Sequence, residues 1–344
     1  MEKLSVSWSS PSNIALVKYW GKISHQIPCN PSVSFTLKNS LTRMDVEAEK
    51  TNAGEIQVDF FFEGKINEKF KSKIVKFLES ERERFGWITN YKLTIKSENT
   101  FPHSSGIASS ASSMSALCLS LLSLDEKITG VKAKIEDFYQ EASDLSRRAS
   151  GSAGRSVYPY LVSWGEIDSV VGSSNLFAAP VNKADIHPMF HDYCDSIIIV
   201  DAAEKSVSSR AGHSLMDTHP FRELRYKRAH ENLEKLLSAM KEGKMEEFIS
   251  IVEEDALMLH ALMMTSTPSF ILLKPMSLLL IEKIREYRKN TNIPLCFTID
   301  AGPNIHLLYP KAYETAVKEW LAMEFKDLRI IHDETGPGPV KIKD

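Results

Sequence analysis

Hydrophobic and polar positions along the first hundred residues alternate with a period of two. Val33-Ser-Phe-Thr-Leu37, Met44-Asp-Val-Glu-Ala48, Ile56-Gln-Val-Asp-Phe60 and Lys92-Leu-Thr-Ile-Lys96 therefore predict strands. The period changes over about 67–85 and again at Ser112–Leu124. In the second stretch Met114, Leu117, Leu121 and Leu122 recur at helical spacing without Gly or Pro. A further helix is predicted near Ile135–Arg148, a small-residue loop at Ser150–Arg155, and strands around Tyr160–Trp164 and Asn175–Pro180.

The pattern shifts in the second half. Asp195-Ser-Ile-Ile-Ile-Val-Asp201 reads as a short buried strand. From Phe221 to about Met264 an apolar stripe of Leu224, Ala229, Leu233, Leu236, Leu237 and Met240 predicts helices, divided at Gly243. One more helix, at about Ser277–Arg288, precedes two strands, Leu295–Ile299 and Ile305–Tyr309, which flank Asp300-Ala-Gly-Pro-Asn304. Strands and helices mix without strict βαβ alternation, so the class is α+β and not doubly wound. With 344 residues and no low-complexity linker, two lobes are expected to pack against each other across a cleft, residues 1–187 and 188–344.

Composition narrows the function classes. Hydrophobic residues make up 43% and charged residues 25%, as in ordinary globular proteins, and a net charge of -3 without a long basic run argues against nucleic-acid binding. The longest apolar stretch, around Ile271–Ile281, is broken by Lys274 and Pro275, so no membrane span is expected. The N-terminus lacks the basic-then-apolar order of a secretion signal, and Cys29, Cys118, Cys194 and Cys296 form no C-x-x-C pair; a reducing cytoplasm is the expectation. His187 and His191 have Pro188 between them and read as a solvent-facing loop, not a metal pair.

Five segments carry chemistry. Phe101-Pro-His-Ser-Ser-Gly-Ile-Ala-Ser-Ser-Ala111 runs into a helix, aiming free backbone N–H groups and the positive dipole end outward, a shape that suits phosphate. No G-x-x-x-x-G-K-[ST] or G-x-G-x-x-G string occurs, and a plain helix cap is the competing reading. Lys18-Tyr-Trp-Gly-Lys22 puts two cations around an aromatic pair, either an anchor for a phosphorylated or carboxylated substrate or a solvated strand end. Ser150-Gly-Ser-Ala-Gly-Arg-Ser156 and Ser208-Ser-Arg-Ala-Gly212 offer hydroxyls with Arg155 and Arg210, or are solvated turns. Asp300, at a strand end before Ala-Gly-Pro, is a general-base candidate if cations surround it and a turn residue if they do not.

Together these blocks resemble one family, the mevalonate diphosphate decarboxylases of the GHMP kinase superfamily, from about residue 8 to 309, and Thr335-Gly-Pro-Gly-Pro339 resembles the family's tail. The resemblance implies a first lobe like a ribosomal S5 domain, a ferredoxin-like second lobe, and a cytoplasmic homodimer. It implies ATP- and Mg²⁺-dependent conversion of mevalonate 5-diphosphate to isopentenyl diphosphate. In that scheme Asp300 and Lys18 stand at the 3-hydroxyl and Arg155 holds the carboxylate. Tyr19, Trp20, Gly21, Lys22, Ser150, Gly151, Ser152, Ala153, Gly154, Ser209 and Arg210 would line the substrate pocket. Ser105, Gly106, Ala108, Ser109 and Ser110 would cradle the nucleotide phosphates, with Ser110 near Mg²⁺.

The chain departs from the family pattern at three places. Phe101-Pro-His-Ser-Ser-Gly-Ile107 replaces Phe-Pro-Thr-Ala-Ala-Gly-Leu, and His103 is given no catalytic part. Asp255-Ala-Leu-Met-Leu-His-Ala261 replaces Asp-Ser-Asn-x-x-His-Ala. Lys69, Lys71 and Lys73 provide no clear counterpart for an arginine that reaches the terminal phosphates in family members. Alternatives are a mevalonate 5-phosphate decarboxylase, a mevalonate 3-kinase and a silent metabolite-binding protein. The missing G-x-S-x-G elbow argues against a serine hydrolase.

Overall fold

The computed structural model describes residues 3–102, 107–202 and 209–344, the backbone alone at 209–210. A long first strand, β1 (Lys3–Val17), pairs along its length with β2 (Ser32–Lys50). Around them grows an eight-stranded sheet with β3 (Gln57–Phe62), β4 (Lys65–Ile66), β5 (Tyr91–Asn99), β6 (Leu161–Trp164) and β7 (Ala178–Pro180), β3 and β5 running parallel. Three helices belong to this lobe, α1 (Glu68–Ser80), α2 (Ser109–Thr129) and α3 (Ile135–Ala149).

The two strands read at Val33–Leu37 and Met44–Ala48 are one continuous strand. Its bend at Lys38–Ser40 is held from outside the sheet, where Asp333 accepts the three backbone N–H groups at 3.0, 2.8 and 2.7 Å. β1 faces α2 through hydroxyls as well as apolar groups. Ser10 meets Ser115 at 2.5 Å and the Trp8 indole donates to Ser123 at 3.0 Å. These contacts fix α2 antiparallel to β1, so its N-terminal end lies toward the Lys18 end of the strand. Residues 114–124 of α2 are buried all round, so the helical spacing of Met114, Leu117, Leu121 and Leu122 has no solvent-exposed face opposite it.

A second, four-stranded antiparallel sheet contains β8 (Tyr193–Ile199), β9 (Cys296–Thr298), β10 (Ile305–Pro310) and β11 (Arg329–Glu334) in the order β11-β8-β10-β9. Between β8 and β9 come α4 (Ser209–Ser214), α5 (Arg222–Glu242), α6 (Met245–Thr265) and α7 (Pro275–Thr291); α8 (Glu314–Glu324) lies between β10 and β11. Numbered within the lobe, the strand order is 4-1-3-2, with helical layers in β-α-β-β-α-β succession, the ferredoxin-like arrangement. Left-handed Gly243 ends α5 at a φ of +73°. The last strand, β12 (Val340–Lys343), leaves this lobe and pairs with β1, so the chain's end belongs to the first sheet rather than to the span beginning at 188.

The lobes share an apolar cluster. Ile14, Leu16, Val33 and Phe35 of the first sheet pack with Tyr193, Ile197 and Ile199 of the second and with Leu233 and Phe248 of its helices. Burying this surface couples the sheets and sets β1's C-terminal end against α6 and the β9–β10 turn. No described helix is long and apolar enough to cross a membrane.

Candidate active site

Lys18 follows β1 directly, and its side chain is 3% exposed. Its Nζ donates to Asp300 Oδ1 at 2.7 Å, joining a residue at the end of the first strand to the turn between β9 and β10. The Asp300 side chain remains 29% exposed, so its carboxylate is open to a ligand from solvent. The turn is tight: Gly302 N–H donates to the Asp300 carbonyl at 2.6 Å, and Asn304 Oδ1 accepts the N–H groups of Val200 and Asp201.

Arg155 lies in a buried 3-10 segment, Gly151–Val157, immediately after α3. Among the described residues its side-chain hydrogen-bond partners are all neutral. Nε donates to Ser34 Oγ at 3.0 Å and Asn13 Oδ1 at 3.3 Å, and one terminal nitrogen donates to Ser32 Oγ at 2.5 Å. The ring of Trp164 lies 5.8 Å from the guanidinium carbon. Burial pulls its pKa down to about 10, while the charge of Asp300 opposes the shift. A cation desolvated this far, without a carboxylate bonded to it, is prepared for an incoming anion. Asn13 secures the segment by donating to Ser156 Oγ at 2.8 Å and the Ser152 carbonyl at 3.1 Å.

The aromatic pair lies alongside. Tyr19 packs against Trp164 and His213, with ring centres 4.6 and 4.4 Å apart, and Trp20 packs on the other side of His213 at 4.6 Å. His213 Nδ1 accepts the Gly21 amide proton at 3.0 Å, and burial depresses the imidazole pKa to about 3, so the ring is neutral. Two glycines permit this packing. A Cβ on Gly151 would meet Tyr19 at 2.8 Å, and one on Gly21, whose φ is +95°, would meet the Tyr226 hydroxyl at 2.4 Å. Lys22 Nζ donates to Gln26 Oε1 at 2.7 Å. Arg147, the last buried residue of α3, donates to the His25 carbonyl of the same loop, to the Leu176 carbonyl at 2.5 Å and to Asp144.

The structure thus brings Lys18, Tyr19, Trp20, Gly21, Lys22, Gly151, Ser152, Ala153, Gly154, Arg155 and Asp300 into one region where the lobes meet, with Ser150 closing α3 above them. Ser209 and Arg210 open α4, the helix that carries His213; their side chains lie outside the described residues. Ser105 and Gly106 also lie outside them. Ala108 precedes α2, no side chain among the described residues caps that helix, and Ser109 and Ser110 form its first turn, with Ser110 exposed.

Sequence reasoning did not select Asn13, Ser32, Ser34, His213 or Arg147 as site residues. Nor did it find the buried pair Arg225–Asp255, which reaches the Lys18 backbone. The only advance signal for Asp255 was its place in a family-like block. Arg225 was hidden among Arg222 and Arg228, which share its helix.

Two family models match the chain in tandem: the diphosphomevalonate decarboxylase-like N-terminal domain over residues 10–175 and the mevalonate 5-diphosphate decarboxylase C-terminal domain over residues 196–339. The chain belongs to the diphosphomevalonate decarboxylase family. A curated diphosphomevalonate decarboxylase from Ganoderma lucidum is 27% identical across 95% of this chain and 84% of its own length. Among solved structures, the complex of MDDEF with MVAPP, AMPPCP and magnesium superposes with a TM-score of 0.84 at 28% identity over the whole of both chains. The mevalonate diphosphate decarboxylase from Staphylococcus aureus gives the same score and identity over 99% of each chain. The two-lobed architecture is that of the GHMP kinase group.

Proposed function

We propose that this chain catalyses the ATP-dependent decarboxylation of mevalonate 5-diphosphate to isopentenyl diphosphate, releasing ADP, phosphate and CO₂. The observation that carries the reading is the Lys18–Asp300 contact beside a buried Arg155 with no bonded carboxylate among the described residues. These groups match a substrate that bears a hydroxyl and a carboxylate on neighbouring carbons.

Asp300, paired with Lys18, orients the tertiary 3-hydroxyl and takes its proton as the oxygen attacks the γ-phosphorus of ATP. ADP leaves, and the hydroxyl has become a phosphate ester, a far better leaving group. The C–O bond then breaks with its electron pair leaving on phosphate. The electrons of the C–CO₂ bond form the new alkene, and CO₂ departs. Lys18 stabilises negative charge on the departing oxygen, and Arg155 holds the carboxylate along the breaking bond. Tyr19 to Lys22 and the Ser150–Gly154 segment enclose the chain of the substrate. Lys22 and Arg147, both bonded within the 22–26 loop, supply positive charge for its distal phosphate.

The first turn of α2 suits a nucleotide phosphate tail: no side chain among the described residues caps it, and Ser109 and Ser110 add hydroxyls. Ser110, exposed in that turn, would help to hold Mg²⁺ with the nucleotide, and the ion would neutralise charge on the phosphoryl group. The same reading, through the family resemblance, makes the enzyme a cytoplasmic homodimer, which sedimentation of the purified chain tests.

Comparing turnover of mevalonate 5-diphosphate with mevalonate 5-phosphate tests the substrate. The diphosphate is expected to give the higher kcat/KM by at least about tenfold, the worth of one lost charge-assisted contact. A preference for the monophosphate would overturn the assignment.

A further inference from the structure

The segment Asp255–Ala261 of α6 supports a role that the reaction scheme leaves unassigned. Asp255 is fully buried; its Oδ2 accepts the Lys18 backbone N–H at 2.7 Å. The same carboxylate binds Arg225 of α5 through two contacts, 2.6 and 3.2 Å, and neither side chain reaches solvent. Arg225 completes the circuit by donating to the Lys18 carbonyl at 2.9 Å, where Asn30 Nδ2 donates as well, also at 2.9 Å. Both polar groups of one residue's backbone are thus gripped by an ion pair from the other lobe. Five positions along α6, His260 Nε2 meets the Asp300 carbonyl at 3.2 Å.

Stability alone is a weak explanation for this arrangement. Removing two charges from water costs several kcal/mol per ion, and well-packed aliphatic side chains of similar volume commonly serve as well or better. Here the pair leaves one of its own donors unmet: Arg225 Nε is buried and makes no hydrogen bond among the described residues. What the pair does supply is direction, since an aliphatic pair packs equally well over a range of backbone placements. A side chain that must deliver Nζ to within hydrogen-bonding distance of a carboxylate from another lobe needs its own Cα fixed.

We infer that Asp255, Arg225 and His260 are positioning residues, and that α6 acts as a jig setting the spacing between the Lys18 ammonium and the Asp300 carboxylate. This inference rests on the reading of Lys18 and Asp300 as the reacting pair. Two controls separate the two claims: if Lys18→Met and Asp300→Asn keep normal turnover, the reading itself fails.

Provided that both controls are inactive, the test is the aliphatic swap Asp255→Leu with Arg225→Met. The double variant is expected to fold with a melting temperature near or above wild type and to bind ATP with unchanged affinity. Its kcat is expected to fall by about 100-fold, the cost of a misplacement of about 1 Å at a reacting centre. A folded double variant with kcat within threefold of wild type would overturn the inference. If the swap does not fold, His260 decides. His260→Leu is expected to lower kcat about tenfold at unchanged KM, and His260→Gln, which keeps a donor, to restore most of it. Equal, normal kcat in both His260 variants would refute the jig.

Discussion

Lys18 and Asp300 are 282 positions apart in the chain, and their charged atoms are 2.7 Å apart. One directly follows the first strand of the first sheet, the other sits at a turn of the second sheet, so the contact exists only when the lobes dock. The site is a property of the lobe interface, and the shared apolar cluster beneath it maintains the docking.

Removing the ammonium tests its part in the reaction. Lys18→Met keeps most of the buried stem, and the account expects kcat to drop by at least about 100-fold while ATP affinity stays within a few-fold. Steady-state kinetics alongside nucleotide titration checks this. Retention of kcat would exclude Lys18 from the chemistry.

Arg155 makes an unusual stability prediction. It is desolvated, bonded only to hydroxyls and an amide among the described residues, and its pKa is lowered to about 10. A base whose folded pKa lies below its unfolded value carries an energetic penalty at neutral pH, because folding disfavours its charged form. Arg155→Gln should therefore melt at or above the wild-type temperature while kcat/KM falls by at least about 100-fold. A lower melting temperature with little kinetic change would assign Arg155 to the scaffold instead.

His213 gives a pH signature. Its folded pKa is near 3 against an ordinary 6.5, so between these values the unfolded chain binds a proton that the folded chain does not. Its contribution is complete above pH 6.5 and is lost as pH falls toward 3, on the order of 2 kcal/mol by pH 5. His213→Asn keeps an acceptor for the Gly21 amide without a titrating ring. Denaturant unfolding at pH 7 and pH 5 should show the variant losing less stability than wild type; equal losses would contradict the buried, neutral imidazole.

Gly151 tests the enclosure of the substrate. An added Cβ meets the Tyr19 ring at 2.8 Å, so Gly151→Ala must displace that ring. The KM for mevalonate 5-diphosphate is expected to rise about tenfold with the KM for ATP unaffected. A variant with both constants unchanged would mean that Tyr19 does not border the substrate.

The parts of this fold that follow simple periodicity were readable in the sequence: the alternating strands around Phe35, Val46 and Ile95, the helices divided at Gly243, and the turn at Asp300. The parts that use small hydroxyl residues or lie late in the chain were not. β1 contacts α2 partly through the Ser10–Ser115 pair, which no hydrophobic pattern reports. Helix α8, β11 and β12 went unread, and β12 has every residue exposed and therefore carries no burial signal. The segments bearing Lys18, Arg155 and Asp300 stood out as motifs because glycine and charge occur together in them. Their supports did not: Ser32 and Ser34 look like solvent-face positions of a strand until Arg155 is seen lying on them. Arg225 differs from its exposed neighbour Arg222 only by which face of α5 turns inward.

The most direct measurement is the product balance with mevalonate 5-diphosphate carrying a labelled carboxylate. The account predicts ADP, phosphate and labelled CO₂ in equal amounts throughout the time course. ADP formed with the label retained on a phosphorylated acid would mean that the site transfers phosphoryl but does not break the carbon–carbon bond, and would contradict the account at its centre.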